Sequence, residues 1–168
     1  FDNNFFDKII VSIGILHNER FMPEKRIEEV SSDQFLEIIR INTLVPTLIA
    51  RSFYKKLKKN DKSTLAFLSA RVGSITDNSS GGWYSYRASK AALNMVIKNL
   101  SIELRRYNKE LVVIGLHPGT VDSPLTQPFQ KNLEDSKIFS ADFSVLKLSS
   151  VIDSLSVESS GKCIDWEV

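Results

Sequence analysis

Four short runs punctuate this chain: "KIIVSIGIL" (8–16), "STLAFLS" (63–69), "LVVIGLH" (111–117) and "GKCIDW" (161–166). The first three are apolar and β-branched, and they read as buried strands; the last reads as a closing strand. The stretches between them space apolar residues as helices do. Residues 31–59 are expected to form one long helix, with Phe35, Ile38, Ile39, Val45, Leu48, Ile49 and Phe53 on one stripe. Ser31 and Gln34 give that helix a capping-box start. A second helix is expected over 84–107 and a short one over 147–156, with 122–143 a loop or short helix. Residues 17–30 read as polar and irregular. Strands alternating with helices in this way require βαβ units. The fold expected is therefore α/β, a doubly wound parallel sheet with helices on both faces.

Composition narrows the function classes. A chain of 168 residues suffices for one domain with a real core. Hydrophobic content of 42% and charged content of 25% belong to an ordinary soluble globular protein. A net charge of +2 gives no electrostatic case for nucleic acid or an anionic membrane. The basic run "KKLKKNDK" (55–62) reads as a solvated helix end. No apolar run approaches membrane-spanning length, and "FDNNFFDKII" lacks the basic start and long apolar stretch of a signal peptide. Cys163 is the only cysteine, which suits a reducing compartment and points to the cytoplasm. His117 has no second ligand at a metal-binding spacing, so no metal site is expected.

The chemistry concentrates in "GGWYSYRASKAALN" (81–94). Tyr86 and Lys90 stand four apart, on one helix face. An ammonium beside a phenol favours the phenolate and is expected to draw the tyrosine below its ordinary pKa of ~10. Ala88, Ser89, Ala91 and Ala92 leave room for a flat ligand beside the pair. A plain surface pair is the competing explanation for a lone Tyr-x-x-x-Lys. Asn42 interrupts the apolar stripe of the first helix and needs a partner there. Pro46, four residues on, has no N–H, so the Asn42 carbonyl loses its helical donor and a kink follows. Such a carbonyl can hold a water; a kink without a catalytic role is the other reading.

"SARVGSITDNSSGGWYSYRASKAALN", with "INTLVP" upstream and "HPGTVDSPLT" downstream, resembles the short-chain dehydrogenase/reductase family, most of all its carbonyl-reductase-like branch. The resemblance implies a Rossmann-type fold, NADP or NAD as cofactor, and hydride transfer between it and a small-molecule carbonyl or alcohol. It makes Tyr86 the general acid toward the carbonyl oxygen. Lys90 tunes Tyr86 and holds the nicotinamide ribose, and Asn42 carries a water-linked proton relay to the lysine. It sets Pro118, Gly119, Thr120 and Val121 along the nicotinamide, with Ser123 at its carboxamide or phosphate. Near the first strand the family's Asn-Ala-Gly becomes Ser12-Ile13-Gly14, so Gly14 alone is retained for the cofactor. The two long helices resemble the pair through which members of the family form homodimers and homotetramers.

Three departures qualify the match. The family's serine is the second of a pair where this chain has Ser69-Ala70. Ser69 and Ser74 remain as candidates, and Ser69, at the strand end, is preferred. The strand's period of two aims Ser69 and Ala70 to opposite faces, so a local twist is needed. No G-x-G-x-x-G run exists in the sequence, and only seven residues precede the first strand, whose uncharged composition is that of an inner strand. The expectation is a single partial Rossmann-type domain over 1–168, a fragment lacking the first βα units and retaining the catalytic half. Two rivals stand beside the oxidoreductase: a non-catalytic α/β remnant that acts as a binding module, and a hydrolase using Ser69 or Ser74 with His117. The hydrolase lacks a G-x-S-x-G elbow. Trp83 and Phe129 either line the substrate pocket or pack the core or a lid. On the fragment expectation an unpaired, uncharged strand edge should make the 168-residue chain associate or melt poorly. Size-exclusion chromatography with a thermal melt checks this, and a soluble, cooperative monomer would contradict it.

Overall fold

A computed structural model describes residues 5–166. Its centre is a four-stranded, all-parallel sheet. The strands are β1 (Lys8–Val11), β2 (Ser63–Leu68), β3 (Leu111–Leu116) and β6 (Cys163–Ile164), in the order β1-β2-β3-β6. A separate two-residue ladder pairs β4 (Thr120–Val121) with β5 (Ile138–Phe139). The helices are α1 (Ser32–Ile39), α2 (Val45–Phe53), α3 (Tyr84–Leu104) and α4 (Ala141–Ser154).

The period of two along the central strands sorts the core into two layers. Leu65 and Phe67 of β2, with Leu111 and Val113 of β3, pack against Ala50 of α2 and Leu93, Ile97 and Leu104 of α3. The alternate residues Ala66, Val112, Ile114 and Leu116 pack against Leu148 and Ile152 of α4. Helices on both faces of a parallel sheet are the expected doubly wound arrangement. The carboxyl ends of β1, β2 and β3 lie along one edge, where open α/β sheets bind ligands.

Several elements differ from the sequence expectation. The first strand stops at Val11 instead of Leu16, and Ile10 on it is 53% exposed. Residues 12–16 leave the ladder because the site captures their backbone, as described below. The long helix over 31–59 is interrupted. Between α1 and α2 the turn Arg40–Leu44 is a π-turn, closed by Val45 N–H donating to the carbonyl of Arg40. Pro46 cannot donate to Asn42, and the ladder absorbs the loss by slipping one residue. The capping box is half formed: Ser31 Oγ accepts the Gln34 N–H, but the Gln34 side chain donates to the carbonyl of Met22 at 2.8 Å. The last helix starts six residues earlier than expected, at Ala141, and the last strand is two residues long.

Phe67 is fully buried between two strands and two helices, whereas Leu36 on α1 is 66% exposed. Phe67→Ala is expected to lower unfolding free energy by about 3–5 kcal/mol in urea titration, and Leu36→Ala to change it by under ~0.5 kcal/mol.

Candidate active site

Three stretches converge at the carboxyl edge of the sheet: residues 12–16 after β1, residues 69–73 after β2, and the start of α3. Asn42 ties the first to the third. It is fully buried on the π-turn. Its Oδ1 accepts the Ile15 N–H at 2.7 Å, and its Nδ2 donates to the Ile15 carbonyl at 2.8 Å and to Ser89 Oγ at 3.0 Å. One amide thus pairs like a strand with Ile15 and reaches α3 as well. That is why β1 ends early: the backbone of Ile15 pairs with a side chain rather than with another strand.

Lys90 is almost wholly buried, and its Nζ donates to the carbonyl of Leu68 at the end of β2, at 2.9 Å. A Cβ on Gly14 would lie 3.3 Å from Lys90 Nζ and 3.4 Å from Asn42 Oδ1, so the bare glycine lets residues 12–16 pass close to the lysine. Gly73 does the same on the other side. A Cβ there would meet the backbone of Lys90 at 2.8 Å.

The phenol and the ammonium do not pair as the spacing suggested. Lys90 Nζ stands 5.8 Å from the centroid of the Tyr86 ring and points at a backbone carbonyl. Burial pushes the Tyr86 phenol up to about 12 rather than below its ordinary 10.0. Burial also brings Lys90 down from 10.5 to about 8, opposed by the nearby Cys163. Desolvation outweighs the Coulomb attraction, because both groups sit behind protein. The expected lowering of the Tyr86 pKa is therefore corrected: at neutral pH the phenol is protonated.

Two cavities meet at Tyr86. The first, about 330 Å³, is lined by Gly14, Ser69, Lys90, Pro118, Gly119, Val121 and Ser123 among others. The second, about 420 Å³, is walled by Leu16, Val72, Trp83, Leu125, Phe129 and Leu133. Thr120 faces the second cavity, not the first. Gly119 has φ +71°, and a Cβ there would strike the ring of Trp166.

Ser69 continues the β2 ladder, its N–H donating to Leu116 at 2.8 Å, and it lines both cavities. Its Oγ donates to Asn94 Oδ1 at 2.6 Å. Ala70 faces the second cavity. Ser74 lies in a separate polar cleft, its Oγ near Thr76 Oγ1 and accepting the Asp77 N–H. The structure thus brings Asn42, Ser69, Tyr86, Lys90 and Gly14 together and leaves Ser74 apart. Among the described residues no group of three acidic, histidine or cysteine side chains could hold a metal. No helix among them is long and apolar enough to cross a membrane.

The segment dismissed as irregular supplies parts that sequence reasoning missed. Leu16, expected to end the first strand, walls the second cavity. His17 Nε2 lies 3.2 Å from the carbonyls of both Pro124 and Leu125, and its ring meets Phe129 edge-on. Glu24 is buried at the start of α3. These are long-range contacts of an aperiodic stretch, and no spacing in the sequence announces them.

Residues 6–134 match the family described as short chain dehydrogenase, and the chain belongs to that family. It is 35% identical over 127 residues to "C-signal" of Myxococcus xanthus, covering 76% of this chain and 71% of that protein. It is 36% identical over 139 residues to "1-hydroxy-2-glutathionyl-2-methyl-3-butene dehydrogenase" of Rhodococcus sp. (strain AD45), covering 81% of this chain and 58% of that one. Among solved structures, NADPH-bound carbonyl reductase from chicken fatty liver superposes with a TM-score of 0.82 at 29% identity, covering 98% of this chain and 64% of that one. The chain thus spans between 58% and 71% of the length of these relatives.

The lowered pKa of Lys90 has a sign that can be read in stability. A charged lysine at this position costs the fold most below about pH 8, and the cost fades toward pH 10.5, where the unfolded chain also loses the proton. The order of magnitude is about 3 kcal/mol. Tyr86 works the other way: its stability contribution is complete below pH 10 and lost as pH rises through about 12. Lys90→Met leaves the tyrosine in place. Its stability relative to wild type should therefore fall by about 3 kcal/mol between pH 7 and 10.5 in urea unfolding. A pH-independent difference would contradict the assignment.

Proposed function

We propose that this chain carries the catalytic site of an NAD(P)(H)-dependent oxidoreductase that reduces a small-molecule carbonyl, with Tyr86 as the proton donor. The observation that carries it is the meeting of the two cavities at a buried, protonated tyrosine. A phenol that keeps its proton at neutral pH is the acid that a forming alkoxide needs.

The residues present fit the nicotinamide end of the cofactor. Gly14 leaves a close approach to Lys90 Nζ open, and Gly119 brings backbone to the same cavity in a left-handed conformation. We assign Gly14, Tyr86, Lys90, Pro118, Gly119, Val121 and Ser123 to that group, with Thr120, next to Gly119 in the chain, on the second cavity. The reduced nicotinamide supplies the hydride. The protein's own residues do the rest. Tyr86 delivers its proton to the carbonyl oxygen, and Lys90, largely charged at neutral pH, stabilises the phenolate left behind. Asn42 holds the backbone of Ile15 and the hydroxyl of Ser89 in register with both. Ser69 lines both cavities with its Oγ donating to Asn94 Oδ1, so a carbonyl oxygen gains a donor from that hydroxyl only when it turns away from Asn94. Tyr86 then carries most of the donor role, with Ser69 the second group at the carbonyl oxygen.

The second cavity indicates the substrate class. Among the described residues no Asp, Glu, Lys or Arg lines it, and Trp83 and Phe129 meet edge to face with centroids 5.0 Å apart. An uncharged, apolar carbonyl compound of aromatic size suits such walls. Self-association through α1, α2 and α3 belongs to the same proposal, supported by the exposed Leu36, Leu48, Met95 and Ile102 on those helices and Leu44 on the π-turn between α1 and α2. The single thiol suits a reducing compartment, and we place the protein in the cytoplasm.

The test is NADPH oxidation with benzaldehyde and other uncharged aromatic carbonyls. Tyr86→Phe should lower kcat by ~10²-fold or more, the scale of general acid catalysis, while Ser69→Ala should cost ~10-fold or less. Near-normal turnover by Tyr86→Phe would overturn the mechanism.

A further inference from the structure

The helix that carries Tyr86 starts without a cap of its own. Its N-cap residue, Trp83, makes no side-chain capping bond, because an indole cannot accept the first N–H groups of α3. The acceptor comes from a distant part of the chain. Glu24 is 1% exposed, and Ser85 meets both of its carboxylate oxygens: the Ser85 N–H donates to Oε2 at 3.2 Å and the Ser85 hydroxyl donates to Oε1. Ser85 is the second residue of α3 and the immediate neighbour of Tyr86.

The backbone of Glu24 holds the approach to the helix as well. Its carbonyl accepts the Trp83 N–H. Gly81, Gly82 and Trp83 have φ of +63°, +62° and +50°, a left-handed run that a tryptophan seldom enters. A Cβ on Gly82 would lie 3.3 Å from the Glu24 carbonyl oxygen, so the run is pressed against residue 24. Strained backbone of this kind persists only where its surroundings determine it. Glu24 is itself fixed from both sides, by Gln34 donating to the Met22 carbonyl and by Glu29 accepting the Lys25 N–H at 2.8 Å. The strained entry sets the Trp83 ring 6.2 Å from Tyr86 and 5.0 Å from Phe129, on the wall of the second cavity.

We propose that Glu24 is a positioning residue for the reaction. Its buried carboxylate sets the first turn of α3, and with it the Tyr86 hydroxyl and the Trp83 wall. The side chain at the N-cap is used for the cavity, and capping passes to an acid on another segment. The proposal rests on Tyr86 as proton donor.

Two variants and two readouts separate the outcomes. Glu24→Ala removes both acceptors. In the full chain its kcat for benzaldehyde, counted per NADPH-binding site, should fall by ~10-fold or more at unchanged KM for NADPH, as expected for a misplaced catalytic group. Hydrogen exchange at the amides of residues 83–86 should quicken. Glu24→Gln keeps the shape: its oxygen accepts the Ser85 N–H, and its amide donates to Ser85 Oγ. It should restore slow exchange and bring kcat to within ~3-fold of wild type. If Glu24→Ala does not fold, Ser85→Ala, which removes one of the two donors, replaces it with the same two readouts and the same expected direction. Unchanged exchange at 83–86 in the alanine variant overturns the proposal, as does unchanged kcat per site. Failure of Glu24→Gln to restore kcat also overturns it. A wild-type protein that reduces no carbonyl would count against the proposed function instead, and the exchange experiment would still decide whether Glu24 sets the turn.

Discussion

Pro46 has no N–H to give to the carbonyl of Asn42, and much of the site follows from that missing atom. The helix ladder slips by one residue into the π-turn Arg40–Leu44 and turns Asn42 into the interior. A fully buried amide must find partners, and it finds them in the backbone of Ile15 and the hydroxyl of Ser89. Residues 12–16 are thereby withdrawn from the sheet and laid beside Lys90. The same bond to Ser89 fixes α3 one turn past Tyr86. A local irregularity in one helix thus sets the spacing of three segments that share no secondary structure.

Burial governs the electrostatics of the pair on α3. In water, an ammonium one turn from a phenol would favour the phenolate. Here desolvation dominates at each group, and both are driven toward their neutral forms. The outcome favours proton donation by Tyr86, and it leaves Lys90 able to change charge close to neutral pH. The lysine is oriented by the Leu68 carbonyl, a fixed dipole at the end of a buried strand. The phenol and the ammonium are therefore held by separate parts of the fold.

The sheet, its parallel sense and its two-sided core were legible, because short apolar runs alternating with helices require βαβ units. Tyr86 and Lys90 stood out through the family motif around them, since their spacing alone left a plain surface pair open, and Asn42 through the cost of burying an amide. The ends of elements were not. β1 closes at Val11 because Asn42 competes for the backbone beyond it, and that contact spans twenty-seven residues. Ser69 could be placed at a strand end, but the direction of its hydroxyl depends on Asn94, twenty-five residues away. Glu24 and His17 were invisible for the same reason: a loop residue gains its role from what it meets, and loops carry no period.

The two tryptophans of the chain stand differently toward the site. Trp83 forms a wall of the second cavity, whereas Trp166 lines neither cavity and packs against Gly119 and the ring of Phe139. An occupant of the second cavity meets the Trp83 indole directly, and a reduced nicotinamide absorbs where indoles emit. The protein therefore has a built-in optical reporter on the substrate side of the reaction. Replacing Trp166 with phenylalanine would leave Trp83 as the single emitter through which filling of that chamber could be followed without any added dye.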